Sequence, residues 1–153
     1  MTFARKSGGG NVTPTTVKRR FGGAWVNVQT IKRRLSGAWV TVWNAYTAVS
    51  VALNPTSISK FGTGTNASGP SGSTNPVTAT GSGGNAPITY SWARISGDTS
   101  TNISATTGAS VTFSRASCSD GVNYISTWRC TATDGTTSAH ADVTVTLGYS
   151  KLG

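Results

Sequence analysis

VKRRFGGAWVNVQT (residues 17–30) runs without a break into IKRRLSGAWVTVWN (residues 31–44), one fourteen-residue phrase written twice. Each copy alternates apolar and basic residues, turns on a small-residue pair, then alternates again. That is the pattern of a β-hairpin with a two-residue, glycine-containing turn. With Gly22-Gly23 as the turn, Phe21 faces Ala24, Arg20 faces Trp25, Arg19 faces Val26 and Val17 faces Val28. Period-2 alternation then puts Val17, Phe21, Ala24, Val26 and Val28 on one face and Lys18, Arg20, Trp25 and Asn27 on the other. The next copy sets Ile31, Leu35, Ala38, Val40 and Val42 against Lys32, Arg34, Trp39 and Thr41. Arg20 over Trp25 and Arg34 over Trp39 are expected cross-strand cation–π pairs, each worth about 0.5–1 kcal/mol at an exposed site.

A worn third copy precedes these two. FARKSGGGNVTPTT (residues 3–16) places Phe3 over Val17 and Ile31, Arg5 over Arg19 and Arg33, and Gly9 over Gly23 and Gly37. It has lost the tryptophan and most apolar residues, with Gly10-Asn11 in place of Ala-Trp, so a flexible end is expected instead of a paired ribbon. A lone hairpin is marginal in water, and three in series hardly make a core. The segment therefore needs a partner: its own copies, another subunit or a larger surface. Residues 1–44 read as an anchoring or oligomerisation device. Lys18, Arg19, Arg20, Trp25, Lys32, Arg33, Arg34 and Trp39 are its candidate partner-binding residues.

Charge follows the same division. The 153 residues carry 13 Lys/Arg, 4 Asp and no Glu, a net charge of +9. Residues 1–44 hold eight of the cations and no acid, so the remainder, with five cations (13 − 8 = 5) against four acids, is near neutral. Cations interleaved with tryptophan suit nucleic acid, through phosphate neutralisation and stacking. They also suit docking on an acidic protein surface, or simply keep an exposed ribbon soluble and discourage edge pairing. The last two are favoured over nucleic acid. The N-terminus lacks the apolar core of a secretory signal and no stretch is apolar enough to span a membrane, so cytosolic synthesis without membrane insertion is expected. Cys118 and Cys130 are too few for a disulfide framework or, with His140, for a structural zinc site. A buried free Cys130 is the default, with a Cys118–Cys130 bridge left open.

After Asn44 the basic pairs vanish and a second domain begins, residues 45–153. Strands are expected at 48–53 (with 57–61 a short second piece of the same strand), 76–80, 88–95, 102–105, 110–115, 124–134 and 141–147, separated by Gly/Ser/Asn/Asp/Pro turns. Residues 62–75 read as an exposed loop and ITYSWARI (88–95) as a central strand. Tyr90 and Trp92 share one parity, Val111 and Phe113 another, then Trp128 and Cys130, then Val143 and Val145; these eight are the expected sandwich core. Short strands at regular spacing imply an all-β chain: hairpin repeats followed by an antiparallel β-sandwich.

ITYSWARISGD, SVTFSR and WRCTATDGTTSAHADVTVTL together resemble immunoglobulin-like and PKD-like domains of bacteriophage virion proteins. In these a Y-x-W strand (Tyr90, Trp92) packs on an R-C-x-x-x-D strand (Arg129, Cys130, Asp134), and the domain ends on a strand like Val143 to Leu147. The K-R-R-x-G-G-A-W-V phrase is similar to short basic repeats of phage tail and other virion structural proteins. The resemblance implies a virion location and, by analogy, a homo-oligomer, with a trimer first. Cys130 lacks a partner near Val77–Thr80, so packing of Trp92 on a free thiol is expected instead of an inter-sheet disulfide.

No catalytic constellation stands out. His140 is a lone strand histidine. Asp98, Asp120 and Asp134 occupy turn-like contexts, where carboxylates bond local backbone, and Asp142 lies in a strand. No nucleophile elbow, P-loop or zinc-protease motif is present. No cofactor and no metal are expected, and the chain reads as a non-enzyme. The expected function is a structural component of a bacteriophage particle (head decoration, fibre or tail protein), anchored by the repeats on other virion proteins. The alternatives are a module binding host-surface glycan or protein through loops 62–75, 81–87 and 97–102, and a nucleic-acid-binding protein using the basic repeats.

Overall fold

The computed structural model describes residues 5–7, 10–12, 17–21 and 23–153, with side chains for 17–21, 23–41 and 45–153. Phe3, Gly9, Gly22 and the side chains of Val42 and Trp43, all part of the repeat reading, lie outside the described residues. The chain divides into two compact units, Met1–Thr47 and Ala48–Gly153.

Three antiparallel hairpins make up the described part of the first unit, each its own two-stranded sheet. They are β1 (Arg5–Ser7) with β2 (Gly10–Val12), β3 (Val17–Phe21) with β4 (Ala24–Val28), and β5 (Thr30–Leu35) with β6 (Ala38–Asn44). Their registers repeat: Arg5 opposes Val12, Arg19 opposes Val26 and Arg33 opposes Val40. The worn copy, expected as a flexible end, is instead a paired ribbon over its described residues. Ser36 (φ 46°) and Gly37 (φ 88°) are both left-handed, the turn whose twist matches that of the flanking strands. Gly23 (φ 86°) holds the equivalent place. The third hairpin departs at its open end. A bulge between Ile31 and Lys32 makes Ile31 oppose Trp43, where a strict repeat would bring Val42 opposite.

The second unit is an all-β sandwich. Its strands are β7 (Ser50–Asn54), β8 (Ser57–Gly64), β9 (Ser68–Gly69), β10 (Val77–Ser82), β11 (Thr89–Gly97), β12 (Asn102–Ile103), β13 (Ser110–Val111), β14 (Phe113–Ser114), β15 (Cys118–Ser119), β16 (Tyr124–Thr133) and β17 (Ser138–Lys151). One sheet has the order β13-β10-β7 and the other β11-β16-β17-β8, with short ladders β12-β14 and β15-β9. After a cis Asn54–Pro55 bond the chain changes sheets, and β8 runs parallel to β17 from Ser57↔Thr144 to Gly64↔Lys151. All other ladders are antiparallel. The sandwich therefore carries one parallel pair that alternation alone could not announce. ITYSWARI, read as central, forms an edge: β11 ladders only with β16, while β16 and β17 hold the middle. Its other side makes only single contacts with the 106–108 segment, including the Ser91–Thr107 bridge.

Alternation decides the core. Along β16 Ser126, Trp128, Cys130 and Ala132 are buried, and along β17 Val143, Val145 and Leu147 are. Against them pack Leu53, Val77, Val111, Phe113 and Trp92, with Tyr90 partly buried at the margin. The Phe113 ring sits 5.4 Å from that of Trp128 and 6.5 Å, edge-on, from that of Trp92. Trp92 opposes Cys130 in register, and both cysteines are buried free thiols. The indole N–H groups in this core find acceptors, Trp92 at Gly108 O (3.0 Å) and Trp128 at Ser126 Oγ (3.1 Å). Burying them this way avoids an unpaired donor in an apolar setting.

Residues 62–75 are not a plain exposed loop. Ser71 and Thr74 are buried. The Ser71 and Thr74 N–H groups donate to Arg115 O and Phe113 O, while their hydroxyls accept from the Arg115 and Phe113 N–H groups at 2.9 and 3.0 Å. Short hydroxyl side chains let a Gly/Ser/Thr-rich segment without large apolar residues bind to the β14 side of the sandwich.

Candidate functional site

Two surfaces concentrate chemistry outside the core: the hairpin ribbon and a cleft at one end of the sandwich.

In the ribbon, Lys18 opposes Asn27 and Arg20 opposes Trp25; in the next hairpin Lys32 opposes Thr41 and Arg34 opposes Trp39. Pairs directly opposite point to the same side of a sheet, so two cations and a tryptophan share one face of each hairpin. Arg19 and Arg33 fall on the other face, opposite Val26 and Val40. All eight candidate residues are exposed. Trp25 and Trp39 are each 68% exposed, as is Phe21, and Val26, Leu35 and Val40 are exposed to about two-fifths (40, 43 and 42%). Among the described side chains of residues 17–41, none is buried. The expected Arg20–Trp25 and Arg34–Trp39 stacking is not how the cations settle. Arg19 lies over Phe21, 5.3 Å from the ring centre, and the Arg34 Nε–H turns back to donate to Gly37 O at 3.3 Å. Residues 19 and 21 lie two apart on one strand face, so the contact is local, and Trp25 and Trp39 keep open rings. Residues 17–41 contain no acid to pair with the cations.

The cleft, of ≈ 600 Å³, is lined by Ser100, Asn102, Arg115, Ala116, Ser117, Ser119 and Tyr124. Arg115 organises it. Its guanidinium lies 3.7 Å over the Tyr124 ring, and its Nε–H donates to Asp98 Oδ2 at 3.2 Å. The Thr101 hydroxyl donates to the same carboxylate oxygen at 2.8 Å. Burial pushes the Asp98 carboxyl up, but hydrogen bonds from Thr101 and Arg115 and the Arg115 charge outweigh it, leaving it below its ordinary value. The Tyr124 phenol oxygen accepts from the Ser119 N–H at 3.2 Å and its O–H donates to Ser119 Oγ at 3.3 Å; with these Ser119 contacts the phenol lies below its ordinary value. The sequence reading missed this cluster. Asp98 and Arg115 lie 17 residues apart with no motif between them, and only the β11–β16 register brings the 98 turn beside Tyr124.

The three loops suggested for ligand contact do not form one surface. Arg115 joins 62–75 to 97–102 through Ser71 and Asp98. Loop 81–87 lies at the other end of β16, where the Asn85 N–H donates to Asp134 Oδ2 at 2.7 Å. His140 is exposed on β17. Asp134 also accepts from the Thr136 and Thr137 N–H groups, Asp120 from the Lys151 N–H, and Asp142 makes a two-point pair with Arg129 at 2.8 and 2.9 Å. No group of three potential metal ligands occurs among the described residues.

No family model and no curated protein matches the chain. Among solved structures, the solution structure of the PKD domain from human KIAA0319 is similar over 66% of this chain and 85% of its own, at 16% identity and a TM-score of 0.33. At that score it adds nothing to the strand pairing, on which the sandwich assignment stands.

Proposed function

We propose that the chain is a non-enzymatic structural component of a bacteriophage particle. Residues 1–44 anchor it on other virion proteins, and the immunoglobulin-like or PKD-like sandwich projects as a head decoration, fibre or tail protein. The observation that supports this reading is the ribbon: hairpins in one repeated register, open on both faces, rich in cations and exposed rings, with no core of their own. A segment built so regularly yet stabilised so little by itself gains most from a surface that covers it. Each hairpin also has open edges, which can pair with those of sister copies in a homo-oligomer, a trimer by resemblance. Replacing the chain by residues 48–153 during particle assembly tests the reading. The truncated chain, soluble and with its own cooperative melt, is expected to be missing from purified particles; its presence at the full-length copy number would overturn the anchor.

A second reading has the cleft in its favour. Hydroxyls of Ser100, Ser117 and Ser119, the Asn102 amide and the Arg115 guanidinium line one recess, chemistry that suits a polar host-surface glycan. A glycan array probed with the full-length protein tests it, and binding that survives Arg115→Ala would exclude the cleft as the site.

A further inference from the structure

The two described hairpins with side chains present different chemistry on their two sides. Lys18, Arg20 and Trp25 share one; Phe21 and Val26 share the other with Arg19, which lies over the Phe21 ring; Lys32, Arg34 and Trp39 repeat the first, and Leu35, Val40 and Arg33 the second. All twelve are exposed. The chain itself cannot supply the counter-charge. It has four side-chain carboxylates and no glutamate. Asp98 and Asp142 are neutralised by Arg115 and Arg129, and Asp120 and Asp134 sit at separate turns, accepting backbone N–H groups. A sister copy would bring a second ribbon of like charge and a sandwich without an acidic patch.

We propose that each hairpin enters a groove on a different protein, one wall lined with carboxylates and the other apolar except for an acceptor opposite Arg19 or Arg33. This rests on the reading of the ribbon as an anchor and adds what the anchor enters. Nucleic acid would answer the cations and stack on Trp25 and Trp39, but it would leave Phe21, Val26, Leu35 and Val40 in water. A protein groove answers both sides at once, with charge complementarity on one and apolar burial on the other. The near-identical second hairpin implies a second equivalent groove within reach, as on a repeating lattice, so the two contacts reinforce each other.

Particles assembled without this chain, titrated by co-sedimentation with full-length protein, provide the test. Wild-type binding should weaken as salt rises from about 50 to about 300 mM, where exposed charges are screened. K18S/R20S/K32S/R34S should bind about ten-fold more weakly at low salt and with a clearly smaller salt dependence, the remainder coming from Arg19 and Arg33. V26T/V40T, which keeps β-branched shape and hence the hairpins, should bind about ten-fold more weakly with the salt dependence intact. F21S/L35S should behave like V26T/V40T. If both apolar-face variants bind as wild type, or if the quadruple variant does, the two-walled groove is wrong while the anchor stands. If the wild-type protein does not bind particles at all, the anchor reading itself fails. Tighter binding to a single-stranded oligonucleotide than to particles at the higher salt would put nucleic acid in place of the groove.

Discussion

Trp25 and Trp39 stand at the same place on successive hairpins, fourteen residues apart (39 − 25 = 14), and each is 68% exposed. Each opposes an arginine, Arg20 or Arg34, that leaves its ring uncovered. Two equivalent, open indoles suit a surface that binds twice. On the proposed reading of the ribbon as an anchor, Trp25→Ala or Trp39→Ala alone should weaken binding to particles by about 1–2 kcal/mol, and the pair by more than either. The melting temperature of the sandwich should not move, which calorimetry checks.

Phe113 is the hinge of the core. Fully buried, it packs from β14 onto both Trp92 and Trp128 of the neighbouring strands β11 and β16. Phe113→Ala should cost about 3–5 kcal/mol, because lost transfer energy and the cavity add. Denaturant unfolding followed by tryptophan fluorescence measures it.

Asp98 makes stability depend on acid. Its carboxyl is held below its ordinary value, so its contribution is present above about pH 4 and is lost as pH falls further through the folded-state value. Asp142, with the Arg129 hydrogen bonds as the chief cause, acts in the same direction, though its pair is open to solvent. Asp98→Asn should lower stability at neutral pH by about 1–3 kcal/mol and flatten the decline in acid. Unfolding curves at several pH values show whether that slope changes.

Both cysteines are buried thiols, and burial pushes Cys130 up to about 11. A raised thiol value means that folding favours the neutral form, so the native protein should be inert to thiolate-seeking reagents near pH 8. A colorimetric thiol titration should find no reactive group in the native protein and two after denaturation. Rapid reaction in the folded state would contradict the packing of Trp92 on Cys130.

What could be read from residues alone was what obeys a period. The fourteen-residue repeat dictates the hairpin registers, because a two-residue turn fixes pairing. Period-2 alternation likewise separates Trp128 and Cys130 from Arg129, and Val143 and Val145 from Thr144. Features that depend on which strands become neighbours were hidden. Ser57–Gly64 lies beside β17 in parallel, and ITYSWARI is apolar enough for a centre yet sits at an edge. Ser71 and Thr74 look like loop residues until their hydroxyls meet the Phe113 and Arg115 N–H groups. Arg115, which draws Asp98 and Tyr124 into one cleft, belongs to no motif. Its role comes from the ends of strands, where periodicity stops.

The most direct measurement is hydrogen exchange of the full-length protein, free and bound to particles assembled without it. If the ribbon is the anchor, new protection should appear over residues 17–41, in amides that exchange quickly in the free chain, while residues 48–153 change little. Protection confined to the sandwich, with the ribbon still exchanging freely, would contradict it.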